Sequence, residues 1–236
     1  MVYSKSIPEN ILVPDSQANI IGISRSPHYF VNNVHPSVEC KIKRIIDIVG
    51  GIVGLSLTAI ALIPIAIAMQ IDNPGPIFYS QIRRGYKGQK FRIWKFRSMV
   101  TNADQLKSEV KNEVKGAFFK NENDPRITKI GKFLRKTSLD EFPQFWNVLK
   151  GEMSLVGTRP PTVEEVEQYE ARHLKRLDVK PGLTGEWQVN GRSLIIDFEQ
   201  VVDLDLKYQK KWSIFYDFKL ISQTIKVIFS KKSGAC

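Results

Sequence analysis

Two adjacent carboxylates, Asp140 and Glu141, stand inside Leu134–Pro160 (LRKTSLDEFPQFWNVLKGEMSLVGTRP), with Arg135, Lys136, Lys150 and Arg159 close by in sequence. In phosphoryl chemistry such carboxylates ligate Mg²⁺ or attack phosphorus. Either job needs cations to neutralise the substrate's phosphates. Asp140 and Glu141 with Mg²⁺, ringed by Arg135, Arg159, Arg192 and Lys95, would make such a set. Spacing alone does not bring those distant cations together. A plainer reading competes. Ser138-Leu139-Asp140-Glu141 has capping-box spacing, so Glu141 can simply satisfy a backbone N–H. Pro143 is tolerated only in a first turn, so the helix is expected to start slightly later than that box implies. Either way the dyad lies at a helix N-terminus, where the dipole favours an ionised Asp140.

The elements that must position these groups belong to a basic chain. Over 236 residues, 35 Lys and Arg face 24 Asp and Glu, a net charge of +11. That balance favours an anionic partner: nucleic acid, anionic lipid or a phosphorylated substrate. The two cysteines and three histidines do not cluster, which argues against a disulfide framework or a zinc site.

Residues 1–40, with four scattered prolines, read as a poorly ordered tail. Residues 41–72 follow as a membrane-inserted segment. Ile48 to Ile71 carries no charge over 24 residues. As a helix that is roughly 36 Å, enough for a hydrocarbon core of about 30 Å. A cleaved secretory signal fits poorly, because both the apolar run and the leader before it are too long. Lys41, Lys43 and Arg44 precede the run and Arg83, Arg84, Lys87 and Lys90 follow it, so both flanks prefer the cytoplasmic side. Pro64 favours a kink, and Ser56 and Thr58 are placed to shield freed backbone groups. Re-entry to the same face is therefore favoured over a simple span.

Residues 73–236 read as a cytosol-facing domain. Ile77–Ile82 and Lys90–Arg97, about Gly85-Tyr86-Lys87-Gly88, read as a β-hairpin. From Asn73 to Val100 it carries seven basic residues and no acidic one, and Lys95 and Arg97 are expected on opposite faces. Ile127, Ile130, Phe133 and Leu134 have helical spacing against Arg126, Lys129, Lys132, Arg135 and Lys136, an amphipathic interfacial helix. Thr162 and Glu165 make a capping box for a helix expected to run to Lys180, its charges matching the dipole. Pro181–Ser193 is a glycine-rich loop without nucleotide-binding spacing. Phe218, Ile221, Ile225 and Ile228, flanked by lysines, mark a second interfacial helix. On these residues alone, phosphoryl transfer competes with a non-enzymatic basic membrane adaptor and a nucleic-acid binder.

Longer stretches carry a resemblance: Lys41–Asp47 (KIKRIID), Gly75–Arg84 (GPIFYSQIRR), Phe91–Met99 (FRIWKFRSM), Arg135–Glu141 (RKTSLDE), Asn147–Pro160 (NVLKGEMSLVGTRP), Pro181–Gly185 (PGLTG) and Gln188–Arg192 (QVNGR). In this order they resemble the bacterial sugar transferases, small monotopic polyprenol-phosphate phosphoglycosyl transferases. The resemblance implies a mainly α fold with a small β-hairpin, a Pro64-kinked re-entrant helix and interfacial helices. It implies transfer of a sugar-1-phosphate from a UDP-sugar to undecaprenyl phosphate, releasing UMP, with Mg²⁺, on the cytoplasmic face of the bacterial inner membrane. Asp140 would form a covalent phosphosugar intermediate, and Glu141 would assist metal binding or proton handling. Arg135, Arg159 and Arg192 fall at phosphate- or nucleotide-binding positions, and Lys95 matches the lysine of a Lys-Phe-Arg motif. The implied partners are UDP-sugar, undecaprenyl phosphate and the bilayer, with no nucleic acid; a homodimer is left open. Three positions depart from the common pattern: Ile63 before Pro64, Thr158 and Glu186. Larger relatives add N-terminal spanning helices, so the chain is expected to be a compact member.

Overall fold

The computed structural model of the protein describes residues 34–113, 121, 123–191, 195 and 197–229. A one-turn helix α1 (Pro36–Glu39) leads into the long apolar helix α2 (Lys41–Asp72), then a hairpin of β1 (Phe78–Arg84) and β2 (Lys90–Phe96). Helix α3 (Lys129–Thr137), a 3-10 turn (Leu139–Gln144) and α4 (Phe145–Lys150) come next. Strand β3 (Ser154–Val156), helices α5 (Val163–Glu167) and α6 (Ala171–Leu174), strand β4 (Gly182–Thr184) and helix α7 (Glu186–Val189) follow. Helices α8 (Phe198–Lys211) and α9 (Ile214–Phe229) close the described chain.

The hairpin forms as expected, antiparallel from Phe78 opposite Phe96 to Arg84 opposite Lys90. Lys87 and Gly88 turn it at positive φ. Lys95 and Arg97 do part company, but not by strand alternation, which puts residues two apart on one face. They separate because β2 ends at Phe96; Arg97 then turns to Asn73 and the Pro76 carbonyl oxygen. A second, parallel pairing has no counterpart in the sequence reading. There Ser154 lies opposite Gly182 and Val156 opposite Thr184. Gly182 is needed for that contact, since a Cβ on it would fall 2.1 Å from the Gly157 nitrogen.

Helix α2 is continuous through Pro64, and no break is seen there. Ser56 and Thr58 bond the carbonyls of Ile52 and Gly54, four residues back, rather than the Ile60 carbonyl that Pro64 leaves without its N–H partner. One stripe of α2 is buried along its length: Lys43, Asp47, Gly51, Gly54, Thr58, Ile65 and Met69. Its other faces are apolar and exposed, including Ile45, Ile52, Ile60, Ile63 and Ile71. Both ends touch the same protein body. Lys43 donates to Asp217 at 2.6 Å, and Asp72 accepts from the Ile130 N–H at 2.9 Å.

That docking also gives two cations of the N-terminal flank internal partners: Lys43 pairs with Asp217, and Arg44 caps α4 through the carbonyls of Val148 and Leu149. Residues 34–40, expected within the tail, are docked as well. The His35 ring meets the Gln209 carbonyl oxygen and the edge of Trp212; residues 1–33 lie outside the described part.

The basic face expected around α3 is also partly internal. Arg126 precedes the helix and is buried against Asp124 at 2.6 Å, which leaves Lys129, Lys132, Phe133 and Lys136 exposed. In α9, Phe215, Phe218 and Ile225 are exposed while Asp217 and Leu220 point inward. The single helix expected from Thr162 to Lys180 is instead α5, α6 and a 3-10 turn. Its Arg176 is buried on Asp205 rather than complementing a dipole.

Candidate active site

The dyad sits on the 3-10 turn between α3 and α4. Ser138 makes that junction as the left-handed C-cap of α3, at φ 60, and its side chain provides no capping bond to the turn. The capping-box reading therefore fails, and the α-helix starts later, at Phe145, as Pro143 implied. Asp140 is buried, only 6% exposed. The turn is clasped from two sides. Thr58 of α2 donates to the Phe142 carbonyl oxygen at 3.2 Å. From β2, Lys95 donates to Glu141 Oε1 at 2.9 Å. The helix–helix approach depends on small residues: a Cβ on Gly54 would fall 2.3 Å from the Phe145 ring.

Helix α3 supplies the next cation. Thr128 caps it by accepting the Gly131 N–H at 3.0 Å. A side chain at position 131 would collide with the Ser98 carbonyl oxygen, at 2.0 Å. That close approach seats Arg135 one turn on, where its Nε donates to Ser98 Oγ at 2.9 Å. Burial lowers the Arg135 pKa, and the negative charge of Asp140 beside it opposes that shift. Lys95 and Arg135 are thus brought to the dyad.

Arg159 belongs to an adjoining cluster. It makes a two-pronged bond to Glu165, at 2.9 and 3.2 Å, and its guanidinium lies over the Trp187 ring. Burial works against the Arg159 charge, but Glu165 outweighs it and holds the pKa above the ordinary value. Glu165 does double duty, since the expected capping box with Thr162 also forms. Arg192 lies outside the described residues. Pro64 is exposed on α2, while its neighbours Leu62 and Ile65 share a cluster with Leu139 and Phe142 of the dyad turn.

One cation here escapes sequence reasoning. Arg83 of β1 reads from sequence as a basic flank and as one of the seven cations of the hairpin, with nothing to single it out. It lies on the hairpin face of Tyr79 and Lys95, and its charge is felt by both Arg159 and Glu141. Its backbone also pairs with Thr162, which brings the Pro160–Thr162 segment to the hairpin edge. Strand alternation from Lys95, through its partner Tyr79, is the signal that could find it.

Two departures from the common pattern are accommodated. Thr158 donates to the Arg176 carbonyl oxygen at 3.1 Å, and buried Glu186 pairs with Lys207 at 3.2 Å and with Asn190. No group of three or more His, Cys, Asp or Glu side chains converges among the described residues. A divalent ion at this turn would find two carboxylates among the described residues, Asp140 and Glu141, of which Glu141 is engaged by Lys95; Mg²⁺ takes one or two carboxylates, with water and substrate phosphates as its other ligands. Beside the turn an apolar groove of about 360 Å³ opens, lined by Leu55, Ala59, Leu62, Phe78, Trp94, Pro143 and Trp146 together with Thr58.

Comparison with known proteins places the chain in a family. The family described as Bacterial sugar transferase matches residues 38–231. Galactosyl transferase CpsE of Streptococcus agalactiae serotype III (strain NEM316) is 53% identical over 188 residues, covering 79% of this chain and 42% of that protein. The UDP-glucose:undecaprenyl-phosphate glucose-1-phosphate transferase of Escherichia coli (strain K12) is 40% identical over 201 residues, covering 82% and 41%. The exopolysaccharide production protein ExoY of Rhizobium meliloti (strain 1021) is 36% identical over 192 residues, covering 79% and 84%. The chain spans less than half the length of the first two and most of the third. With the dyad turn, the hairpin lysine and the apolar helix in one body, the chain belongs to the bacterial sugar transferase family.

Proposed function

We propose that the protein transfers a sugar-1-phosphate from a UDP-sugar to undecaprenyl phosphate at the cytoplasmic face of a bacterial inner membrane, and so initiates assembly of a surface polysaccharide. One observation carries this reading. The Asp140–Glu141 turn is held between an apolar helix and a cationic hairpin, so a lipid phosphate and a soluble anionic donor can meet at one carboxylate. The names of the relatives, glucose-1-phosphate and galactosyl transferases, support the same donor class.

In this mechanism an Asp140 carboxylate oxygen attacks the sugar-linked phosphorus. The bond from that phosphorus to the bridging oxygen breaks, and UMP departs with the electron pair. A phosphate oxygen of undecaprenyl phosphate then attacks the same phosphorus, and the carboxylate leaves. Lys95 holds Glu141 in place and Arg135 faces Asp140, so the site presents fixed positive charge to the phosphates. A Mg²⁺ ion held by Asp140 and Glu141 would add charge neutralisation on the diphosphate. The groove beside Pro143 suits the first isoprenoid units of the acceptor.

Membrane insertion from one side fits the docking of α2. A helix spanning a core of about 30 Å would carry its ends to opposite sides. Here Lys43 and Asp72 both bond the same body.

The test is UMP release in nanodiscs with undecaprenyl phosphate, Mg²⁺ and a panel of UDP-sugars, for wild type and Asp140→Asn. Release with one sugar, abolished in the variant, is expected. Turnover retained by Asp140→Asn would exclude the nucleophile. Lipid binding indifferent to Asp140, with no UMP from any donor, would favour a membrane adaptor instead.

A further inference from the structure

Among the described residues, no carboxylate forms an ion pair with Arg83. Its guanidinium donates to the Pro160 carbonyl oxygen at 3.1 Å, while its Nε is shut off from solvent with no hydrogen-bond partner. After burial itself, the largest single electrostatic influence on it is the like charge of Arg159; Glu165, Tyr79 and Glu141 act in the opposite direction. Together burial and Arg159 push its pKa down to about 10.

Glu165 is already committed. Its Oε2 accepts from Arg159 and from the Thr162 N–H, and its Oε1 from Arg159. Glu141 is committed in turn to Lys95. Two guanidiniums around one engaged carboxylate, both partly shielded from solvent, repel one another. An anionic ligand would supply the charge that balances this pair, beside an Arg83 whose Nε has no hydrogen-bond partner among the described residues.

We propose that Arg83, with Arg159, forms the seat for the phosphate that leaves as the nucleoside monophosphate. This rests on the UDP-sugar reading above and adds Arg83 to it. When the bond to the sugar-linked phosphorus breaks, the departing phosphate keeps the electron pair of the bridging oxygen and gains negative charge. Two fixed guanidiniums then bind it more strongly than they bind the intact diphosphate, which lowers the barrier. Arg83 shares the hairpin face of Lys95, and Lys95 bonds Glu141, so the seat lies on the side of the hairpin that meets the dyad turn.

Calorimetric binding of UMP and of uridine to the full chain in nanodiscs tests this, for wild type, Arg83→Gln and Arg83→Lys. Loss of a charge-assisted hydrogen bond predicts about a 10- to 100-fold weaker UMP affinity in Arg83→Gln. Uridine, which lacks the phosphate, should bind unchanged. Arg83→Lys keeps the charge without the fork and should fall between. Unaltered UMP affinity in Arg83→Gln would overturn the proposal. An equal loss for UMP and uridine would overturn it too, because that is what a merely disturbed Pro160 segment would give. If Arg83→Gln does not fold, Arg83→Lys carries the comparison: a loss confined to UMP supports the seat, and no loss overturns it. Wild type that binds neither UMP nor any UDP-sugar would instead overturn the donor reading itself.

Discussion

Removing the Lys43 ammonium should loosen the apolar helix from the rest of the chain by a measurable amount. Lys43 Nζ donates to Asp217 Oδ2 at 2.6 Å and to the Val156 carbonyl oxygen at 3.0 Å. Asp217 also accepts from the Tyr208 hydroxyl at 2.9 Å and the Trp212 indole N–H at 3.3 Å. Lys43→Met keeps the aliphatic stem and leaves Asp217 only 5% exposed with no cation. Breaking such a buried pair from one side costs about 3–5 kcal/mol. A chain of this size loses about 2–4 °C of melting temperature per kcal/mol, so a fall of roughly 6–20 °C is expected. In Lys43→Met/Asp217→Leu the Asp217 carboxylate is no longer buried without its cation; like the single variant it loses the Lys43 bond to Val156, and beyond that it loses the Tyr208 and Trp212 bonds to the carboxylate. The double variant should therefore melt above Lys43→Met alone. Thermal melts in detergent, arranged as a double-mutant cycle, give the coupling directly. A fall below about 2 °C in Lys43→Met, less than 1 kcal/mol, would refute this account of how the helix is held. So would a double variant that melts below the single.

Two further outcomes follow from the site's surroundings. Burial raises the Glu165 pKa, but the charge and hydrogen bonds of Arg159 outweigh that and hold it below its ordinary 4.5. With the folded value depressed, the pair's contribution is complete above about pH 4.5 and is lost as pH falls through the folded value. Glu165→Gln should thus melt lower at pH 7 and show a shallower fall in melting temperature below that point; a fall as steep as wild type would count against the pairing. Gly54→Ala places a Cβ 2.3 Å from the Phe145 ring, so α2 and α4 must move apart at a cost of about 1–3 kcal/mol. Because α4 continues directly from the dyad turn, UMP release should fall with it, and a variant that melts and works like wild type would show that the crossing is not tight.

Features governed by neighbours in sequence are legible from residue type and order alone. The hairpin follows from β-prone runs about Gly85–Gly88, and the length of α2 from 24 uncharged residues. The Thr162–Glu165 box and the late helix start after Pro143 follow from backbone hydrogen bonding within a few residues. Adjacency also puts Asp140 and Glu141 on one turn.

The fate of each cation is not legible in that way. Lys43 and Asp217 are 174 residues apart, and only packing makes one the other's counter-ion. Arg126 reads as part of the basic face of an amphipathic helix and is buried; Arg83 reads as a basic flank of the apolar segment and bonds the Pro160 carbonyl oxygen next to Arg159. The parallel pairing of Ser154–Val156 with Gly182–Thr184 is hidden for the same reason, since its two strands carry no shared local signal. Residue type and spacing set which groups can do phosphoryl chemistry. Which charges are exposed, paired or left waiting for an anion depends on the groups and solvent around each one, and those are assembled only by the tertiary fold.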